Sequence, residues 1–570
     1  MKIFKLFFLF SISILSSSLF AQSWLWGRQG IAPNLIDYCA QPTISSSTAG
    51  ANNSAFFTGG YESSLIVGND TLSGGSFFLL KYNSSGTLLW AFSSKDSINS
   101  SGYGRSVATD KNGNVYITGG FNGTVHLGTK ILRSGMGTDL FIVKFDSNGN
   151  ILWAKEGTEH TNFDFSKGIV VATDEPGNIL VAGGISDTVS FGAYTFMNPN
   201  PGYLYPILLK YDPNGNVIWG RQGLPSSKAM GEYAIIGSMA TDKFDNIYEC
   251  GEFTDTISFA SNTLTTNNDS NINTYLVKYS PSGRVLWAKQ SEGSYLISID
   301  GGCVTTDMEG NPYLGGSFLY SAQFGSHSLN TTYSFSNFLT KYDTAGNVLW
   351  AKQPISTGWS SYSMVSDGSH IYIGGNNGGS NVPLICGSDT ISLEPWIVSA
   401  DFIMKLDTAG TPICASILNN LAGCSITSDS TGTYHYLAGT FGEYSSDTIF
   451  CGPDTLMFSG VLGGGESIFI GRWQECDKET GITPIAIPSE NVILYPNPNN
   501  GQFAIQLPYL ITHASVEVYN VLGEKIYSKI DIQNSILKID LSYQPNGIYF
   551  YRVLKEDGSF VGSGKLIIQK

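Results

Sequence analysis

One block of about 65 residues recurs from near the N-terminus to residue 476, and nothing else in the chain restricts its fold as tightly. One half of the block reads Lys-Tyr/Phe-Asp-x-x-Gly-Asn-x-x-Trp-Ala-Lys. It begins at Lys81, Lys144, Lys210, Lys278 and Lys341, and a decayed copy runs from Lys405 to Cys414. The other half, Thr/Ser-Asp-x-x-Gly-Asn-x-Tyr-x-x-Gly-Gly, begins at Thr109, Thr173, Thr241, Thr306, Ser366 and Ser428. A shorter apolar unit starts at Val125, Val189, Ile257 and Ala322. Each unit is two alternating apolar runs joined by a tight turn, the pattern of a β-hairpin. At Gly149 the turn needs positive φ, which glycine adopts at little cost. Two hairpins per block give a four-stranded sheet, its strands a, b, c and d in chain order. No stretch keeps a 3.6-residue apolar period, so helices are expected to be scarce.

The strand-d positions Trp26, Trp90, Trp153, Trp219, Trp287, Trp350 and Cys414 lie 63 to 68 residues apart, so residues 22–476 hold seven blocks. That arithmetic predicts an all-β chain with a seven-bladed β-propeller of about 65 residues per blade. The array opens with a lone strand d at residues 24–30, whose Trp-Gly-Arg-Gln-Gly is repeated at 219–223, and ends with a lone strand c at 467–473. Left open, the array would expose two raw sheet edges. Pairing the lone strands completes the last blade and closes the ring. The pattern resembles bacterial seven-bladed propeller repeats built on Asp-x-x-Gly-Asn hairpins. That resemblance implies a fold and little about activity, because propellers host many unrelated functions.

The start of the chain has Lys2 and Lys5, an apolar run over 6–15 and small Ala21, as in a secretory signal peptide over residues 1–21. As a helix that run spans about 15 Å, half of the roughly 30 Å hydrocarbon core. No later segment reaches eighteen apolar residues, so no transmembrane segment is expected after signal removal. The eight cysteines suit an oxidising compartment without forming a dense disulfide framework. Cys414 and Cys424 flank one short connection, where pairing is one reading and free buried thiols are the other. A net charge of -15 argues against nucleic acid or an anionic membrane as a partner.

After Trp473 the repeat stops. Residues 477–490 read as a linker. Short alternating runs at 491–495, 502–507, 514–519, 525–530, 536–541, 547–555 and 561–568 predict a small Ig-like β-sandwich over 491–570. That segment has seven basic and six acidic residues, against 22 and 40 in residues 22–490. Its blocks are Pro496-Asn497-Pro498, then Gly501 and Phe503, then a stretch through Gly523, then Gly547 and Tyr549, and finally Lys565 near the end. In this order they resemble the type A-like C-terminal sorting domain of type IX secretion substrates. The resemblance implies an outer-membrane export route with the type IX machinery as partner. It also implies removal of the domain and release or surface attachment of the passenger.

Catalytic signatures are missing from the sequence: there is no GxSxG, HExxH or P-loop, and no cofactor or metal is expected. Asp110, Asp174, Asp242, Asp307, Asp367 and Asp429 share one place in the a–b turns. They read as caps of their own turns rather than an acidic ring at a channel mouth. In this topology the long b–c and d–a connections gather on one face, and variation among repeats collects on a binding face. Tyr103, Phe163, Asp164, Tyr233, Tyr295, Trp359 and Tyr362 fall in the d–a connections and are the candidate ligand contacts for surface glycan or protein. Glu159, Asp164, Glu232, Glu292 and Asp300 are the carboxylates that an alternative, a polysaccharide hydrolase or lyase, would use. A structural cell-surface scaffold is the third reading.

Overall fold

A computed structural model of the 570-residue chain describes residues 23–31, 42–159, 166–198, 203–225, 234–266, 272–293, 302–331, 336–354, 360–376, 384–386, 389–391, 400–419, 421–429, 432, 434–441, 448–451, 454–457, 467–474, 492–507, 514–520, 524–532, 536–554 and 560–570. Two compact units are present, residues 1–478 and 479–570. The described residues are almost all strand, turn or bend, with one 3-10 turn at Ala51–Asn53. None forms a helix long and apolar enough to cross a membrane.

In the first unit, four strands pair antiparallel in chain order, again and again. Repeat 1 has Thr43–Gly50, Ser54–Gly60, Phe77–Tyr82 and Leu88–Ser93. Repeat 2 has Ser101–Thr109, Val115–Leu127, Lys130–Phe145 and Ile151–Glu156; repeat 3 has Lys167–Thr173, Ile179–Ile185, Tyr205–Tyr211 and Val217–Gln222. Repeat 4 has Ala234–Thr241, Ile247–Thr254, Ile272–Tyr279 and Val285–Gln290; repeat 5 has Cys303–Thr306, Pro312–Phe318, Ser336–Tyr342 and Val348–Lys352. Repeat 6 has Ser360–Ser366, His370–Asn376, Ala400–Asp407 and Pro412–Asn419. The last sheet takes Leu421–Ser428, Tyr434–Phe441 and Ser467–Gln474 from the end of the array, and Ser23–Ile31 from its beginning. Ser23–Ile31 lies antiparallel to Ser467–Gln474, with Trp26 opposite Arg472 and Gln29 opposite Phe469.

Each strand a touches the next, and Leu421–Ser428 returns to touch Thr43–Gly50. Apolar clusters fill the spaces between successive sheets. Phe77 and Leu79 of repeat 1 pack with Ile117 and Phe141 of repeat 2, and Phe57 and Leu80 pack with Tyr436 and Ile470 of the last sheet.

The repeat motif works between repeats. In repeats 1 to 4 the Lys of strand c and the Trp of strand d both donate to one carbonyl in the next repeat's c–d turn, whereas in repeat 5 Lys341 reaches Thr408 O without Trp350. Lys144 Nζ and Trp153 Nε1 reach Pro213 O at 2.9 and 3.2 Å, and Lys278 and Trp287 each reach Thr344 O at 3.1 Å. In the last sheet Arg472 and Trp26, from opposite ends of the array, share Ser84 O at 2.7 and 3.0 Å. The same ring lies over the turn glycine: a Cβ on Gly215, at φ +84°, would sit 3.1 Å from Trp153.

This explains Cys414. The sheet after repeat 6 joins strands from the two ends of the array, so its last two strands are not linked by a c–d turn of the kind that meets the strand-d tryptophan in repeats 1 to 4. Cys414 is disulfide-bonded to a cysteine whose side chain is outside those described, whereas Cys250 and Cys303 are buried free thiols.

One part of the sequence reading is corrected. The shorter apolar unit is a third hairpin, as in Val189–Phe191 with Tyr194–Phe196, and it does not stand alone. The chain leaving strand d of the preceding repeat adds a strand to it: Thr158–Glu159 pairs with Val189–Phe191, and Glu292–Gly293 pairs with Ser321–Phe324. Lys95–Asp96, Leu224–Pro225 and Gly30–Ile31 do the same. The long connections are therefore partly sheet, because backbone groups there gain partners across the repeat boundary.

The second unit has a three-stranded sheet (Ile493–Tyr495, Gln502–Gln506, Ile536–Asp540) and a four-stranded sheet (Lys525–Ile532, Ala514–Tyr519, Gly547–Leu554, Phe560–Ile568). Both contribute to one apolar cluster that includes Phe503, Ile505, Val516, Leu537, Tyr551 and Leu566.

Candidate functional site

On the tight-turn side Asp110, Asp174, Asp242, Asp307 and Asp367 accept hydrogen bonds from their own turns. Asp110 Oδ1 accepts the N–H groups of Asn112 and Asn114 at 2.9 Å, while Oδ2 accepts the Asn114 amide at 2.7 Å and the Tyr116 hydroxyl at 2.9 Å. Asp242 and Asp307 repeat this pattern, and Asp367 takes Ser369, His370 and Tyr372. Lys210 lies 2.8 Å from Asp174, and Lys341 lies 2.9 Å from Asp307. Burial alone would raise the Asp307 carboxyl, but Lys341 and the Asn311 amides hold it below the usual range. These contacts are those of turn caps.

Two buried carboxyls were not singled out in the sequence. Glu249, within Ile247–Thr254, is enclosed between repeats 3 and 4 and accepts the Tyr275 hydroxyl at 3.0 Å. Burial pushes it up to about 7, against the pull of the Tyr275 and Tyr279 hydroxyls. Asp401 accepts the Asn376 amide at 2.7 Å, and burial pushes it up to about 8. A signal was present for Glu249: the equivalent places of repeat 2, Ile117, Phe141 and Phe145, are Glu249, Tyr275 and Tyr279 in repeat 4.

Of the candidate ligand contacts, Tyr103 lies inside strand Ser101–Thr109 rather than in a connection. It is half-buried, opposite Gly120, and burial raises its hydroxyl. Phe163, Asp164, Tyr233, Tyr295 and Trp359 lie outside the described residues, as do Glu232 and Asp300. Tyr362 too lies inside a strand a, Ser360–Ser366, rather than in a connection, and Glu159 lies in the short crossing strand Thr158–Glu159; the side chains of both are outside those described. Glu292 is exposed on the strand that crosses to repeat 5.

The motif residues of the C-terminal unit have distinct physical roles. Asn497 pairs with one edge of the last strand through both its side-chain atoms, its amide donating to Lys565 O at 2.8 Å and its Oδ1 accepting from Ile567 N at 2.9 Å. Asn499 continues this strap through Ile567 O and Gln569 N at 3.0 and 2.7 Å. The flanking Pro496 and Pro498, both in cis bonds, are exposed. Gly501 has φ +99°, and a Cβ there would lie 2.5 Å from Ser542 Cα, so only glycine fits. Phe503 and Tyr549 are buried, and the Tyr549 hydroxyl donates to Pro545 O at 2.8 Å. Gly547 and Lys565 are exposed, and Gly523 lies outside the described residues. Glu517 is held down to about 2, first by the Tyr519 hydroxyl and then by Arg552 and Lys525.

The family described as secretion system C-terminal sorting domain matches residues 493–569. The match indicates export through the type IX secretion system to the cell surface or the exterior, and it implies interaction with that machinery. An uncharacterized WD repeat-containing protein, L264, of Acanthamoeba polyphaga mimivirus is 26% identical over 225 residues. That match covers 32% of this chain and 15% of the viral protein, so the chain spans less than a sixth of that relative's length. Among solved structures, the phage phi92 endosialidase is 10% identical at a TM-score of 0.38, covering 98% of this chain and 90% of its own. A Dyadobacter fermentans protein of unknown function is 11% identical at 0.36, covering 65% and 93%. PorZ, titled an essential surface component of the type-IX secretion system of Porphyromonas gingivalis, is 10% identical at 0.20, covering 92% and 81%. None of these superpositions is close enough to carry an argument about activity.

Proposed function

We propose that this chain is a non-catalytic binding or adhesion module for glycan or protein, presented at the cell surface as a closed seven-bladed β-propeller. The domain plan is a signal peptide over 1–21, the propeller over 22–476, a linker over 477–490 and a type A-like sorting domain with an Ig-like sandwich over 491–570. Three facts support the closed ring. Ser23–Ile31 completes the last sheet, strands a touch in order and return to the first, and Cys414 replaces tryptophan where the next sheet has no c–d turn.

The binding reading rests on one asymmetry. Near-identical turns engage their own carboxylates on one side, whereas length and sequence vary among the connections on the other. On that variable side we assign ligand contact to Phe163, Asp164, Tyr233, Tyr295 and Trp359, with Tyr362 and half-buried Tyr103 supporting them from strands a. The test is a glycan and surface-protein array probed with the exported chain. Saturable binding that weakens in Trp359→Ala and Tyr295→Ala is expected, and absence of binding to every glycan and protein would sink the reading.

A further inference from the structure

We infer that the outer face of the four-stranded sheet in the C-terminal unit docks onto a protein of the secretion machinery whose own surface is apolar at its centre and acidic at its rim. The inference rests on reading residues 493–569 as a sorting domain and adds where that domain is gripped.

The two sheets of this unit turn unlike faces outward. The three-stranded sheet exposes Gln502, Gln506, Lys538 and Asp540, with Ile536 as its exposed aliphatic side chain. On the four-stranded sheet, Ile548 and Phe550 are 44% and 48% exposed. Ile548 lies opposite Ile567, and Phe550 lies opposite Tyr519. Four large side chains thus make one strip across three adjacent strands. The outer face of such a sheet is ordinarily polar, and contiguous exposed apolar surface marks a place where another molecule binds. Aromatic anchors of this kind carry most of the energy in protein interfaces.

Charge selects the partner. Lys525, Arg552 and Lys565 border the strip, with Lys565 directly opposite Phe550. One carboxylate among them, Glu517, is already engaged by Arg552 at 2.5 Å, Lys525 at 3.0 Å and the Tyr519 hydroxyl at 2.6 Å. Among the described side chains that border the strip the surplus is positive, Lys525, Arg552 and Lys565 against Glu517 and Glu524, which fits an acidic rim on the partner. Recognition by strand addition is blocked along the end of Phe560–Ile568, because Asn497 and Asn499 already occupy backbone groups of Lys565 and Ile567. The face remains open where that stretch of edge does not.

The test uses the full-length chain in a type IX-secreting host. Ile548→Ser with Phe550→Ser is expected to lower the exported fraction about tenfold or more. Lys565→Glu, at an exposed site with no packing role, is expected to lower it several-fold. Thermal unfolding of each purified full-length variant near the parental midpoint shows that folding is intact. Removal of 491–570 separates the two ideas: export that survives removal overturns the sorting reading itself. Export abolished by removal but parental in the double serine variant overturns the docking face alone. Parental export together with loss of a dimer in light scattering assigns the face to a second copy and also overturns the proposal. Loss in the serine variant with no change in Lys565→Glu overturns the acidic rim.

Discussion

In repeat 2, Ile117 lies buried in an apolar cluster with Phe141 and Phe145; in repeat 4 the same three places hold Glu249, Tyr275 and Tyr279. The rims of these two repeats nevertheless match. Lys144 with Trp153, and Lys278 with Trp287, each hold one carbonyl of the following turn. A lone carboxyl at Ile117 would lack hydrogen-bond partners in an apolar space, at a cost of a few kcal/mol. At Glu249 the two tyrosine hydroxyls supply those partners. The rim is dictated by geometry, because each repeat must meet the next turn at a fixed place. The centre is less constrained: the Tyr279 place is also tyrosine in repeats 1, 3 and 5, where Phe57, Val181 and Leu314 hold the Glu249 place, and Tyr275 is the hydroxyl that arrives with the carboxyl.

The largest expected effect tests the sameness of the rims. Trp153→Ala and Trp287→Ala each remove a half-buried indole that packs on the next turn and donates to its carbonyl. Each is expected to destabilise the first unit by about 3 kcal/mol, read from denaturant midpoints. A large loss in one repeat and a negligible loss in the other would break the equivalence.

The next effect isolates the difference at the centres. A carboxyl near 4.5 unfolded and about 7 folded keeps its proton in the native state across that window, while the unfolded chain has released it. Stability contributed by Glu249 is therefore complete below about pH 4.5 and falls as pH rises, by up to ~1.4 kcal/mol per unit, levelling near pH 7. Asp401 acts in the same direction and levels near pH 8. Changing Glu249→Ile with Tyr275→Phe and Tyr279→Phe rebuilds the centre of repeat 2. Unfolding measured from pH 4.5 to 8 should then be flatter than in the parent by about one proton, with the Asp401 slope left. Identical slopes would show that Glu249 does not titrate in this window.

Legibility followed this division. The period, the turn caps and the two lone strands were readable because each depends on residues close in sequence or on counting whole blocks. The strands crossing between repeats were not, since Thr158–Glu159 and Leu224–Pro225 are two residues long and have no period of their own. Glu249 escaped because one acidic residue in a strand reads as solvent-facing, and the informative signal was Tyr275, where repeats 1, 2 and 5 have Phe78, Phe141 and Phe338. At the C-terminus the order of the blocks was plain. The action of Asn497 depends on a strand about seventy residues away and needed coordinates. For the variable face, Phe163, Tyr233 and Trp359 remain as the sequence left them, outside the described residues.

The smallest effect compares two glycines within one repeat and separates backbone strain from rim packing. Gly177 and Gly215 have nearly equal φ, +87° and +84°. Around Gly177 nothing lies within 4 Å of an added Cβ, so Gly177→Ala carries only the cost of the left-handed backbone, about 1–2 kcal/mol. At Gly215 the same methyl would lie 3.0 Å from Lys155 Cε and 3.1 Å from the Trp153 ring. Gly215→Ala is therefore expected to cost about 1 kcal/mol more than Gly177→Ala, measured side by side by denaturant unfolding. In a Trp153→Ala background most of that excess should vanish, because the ring that the methyl meets is gone. An excess that survives would place the cost in the turn itself or against Lys155 and remove the Trp153 ring from the account.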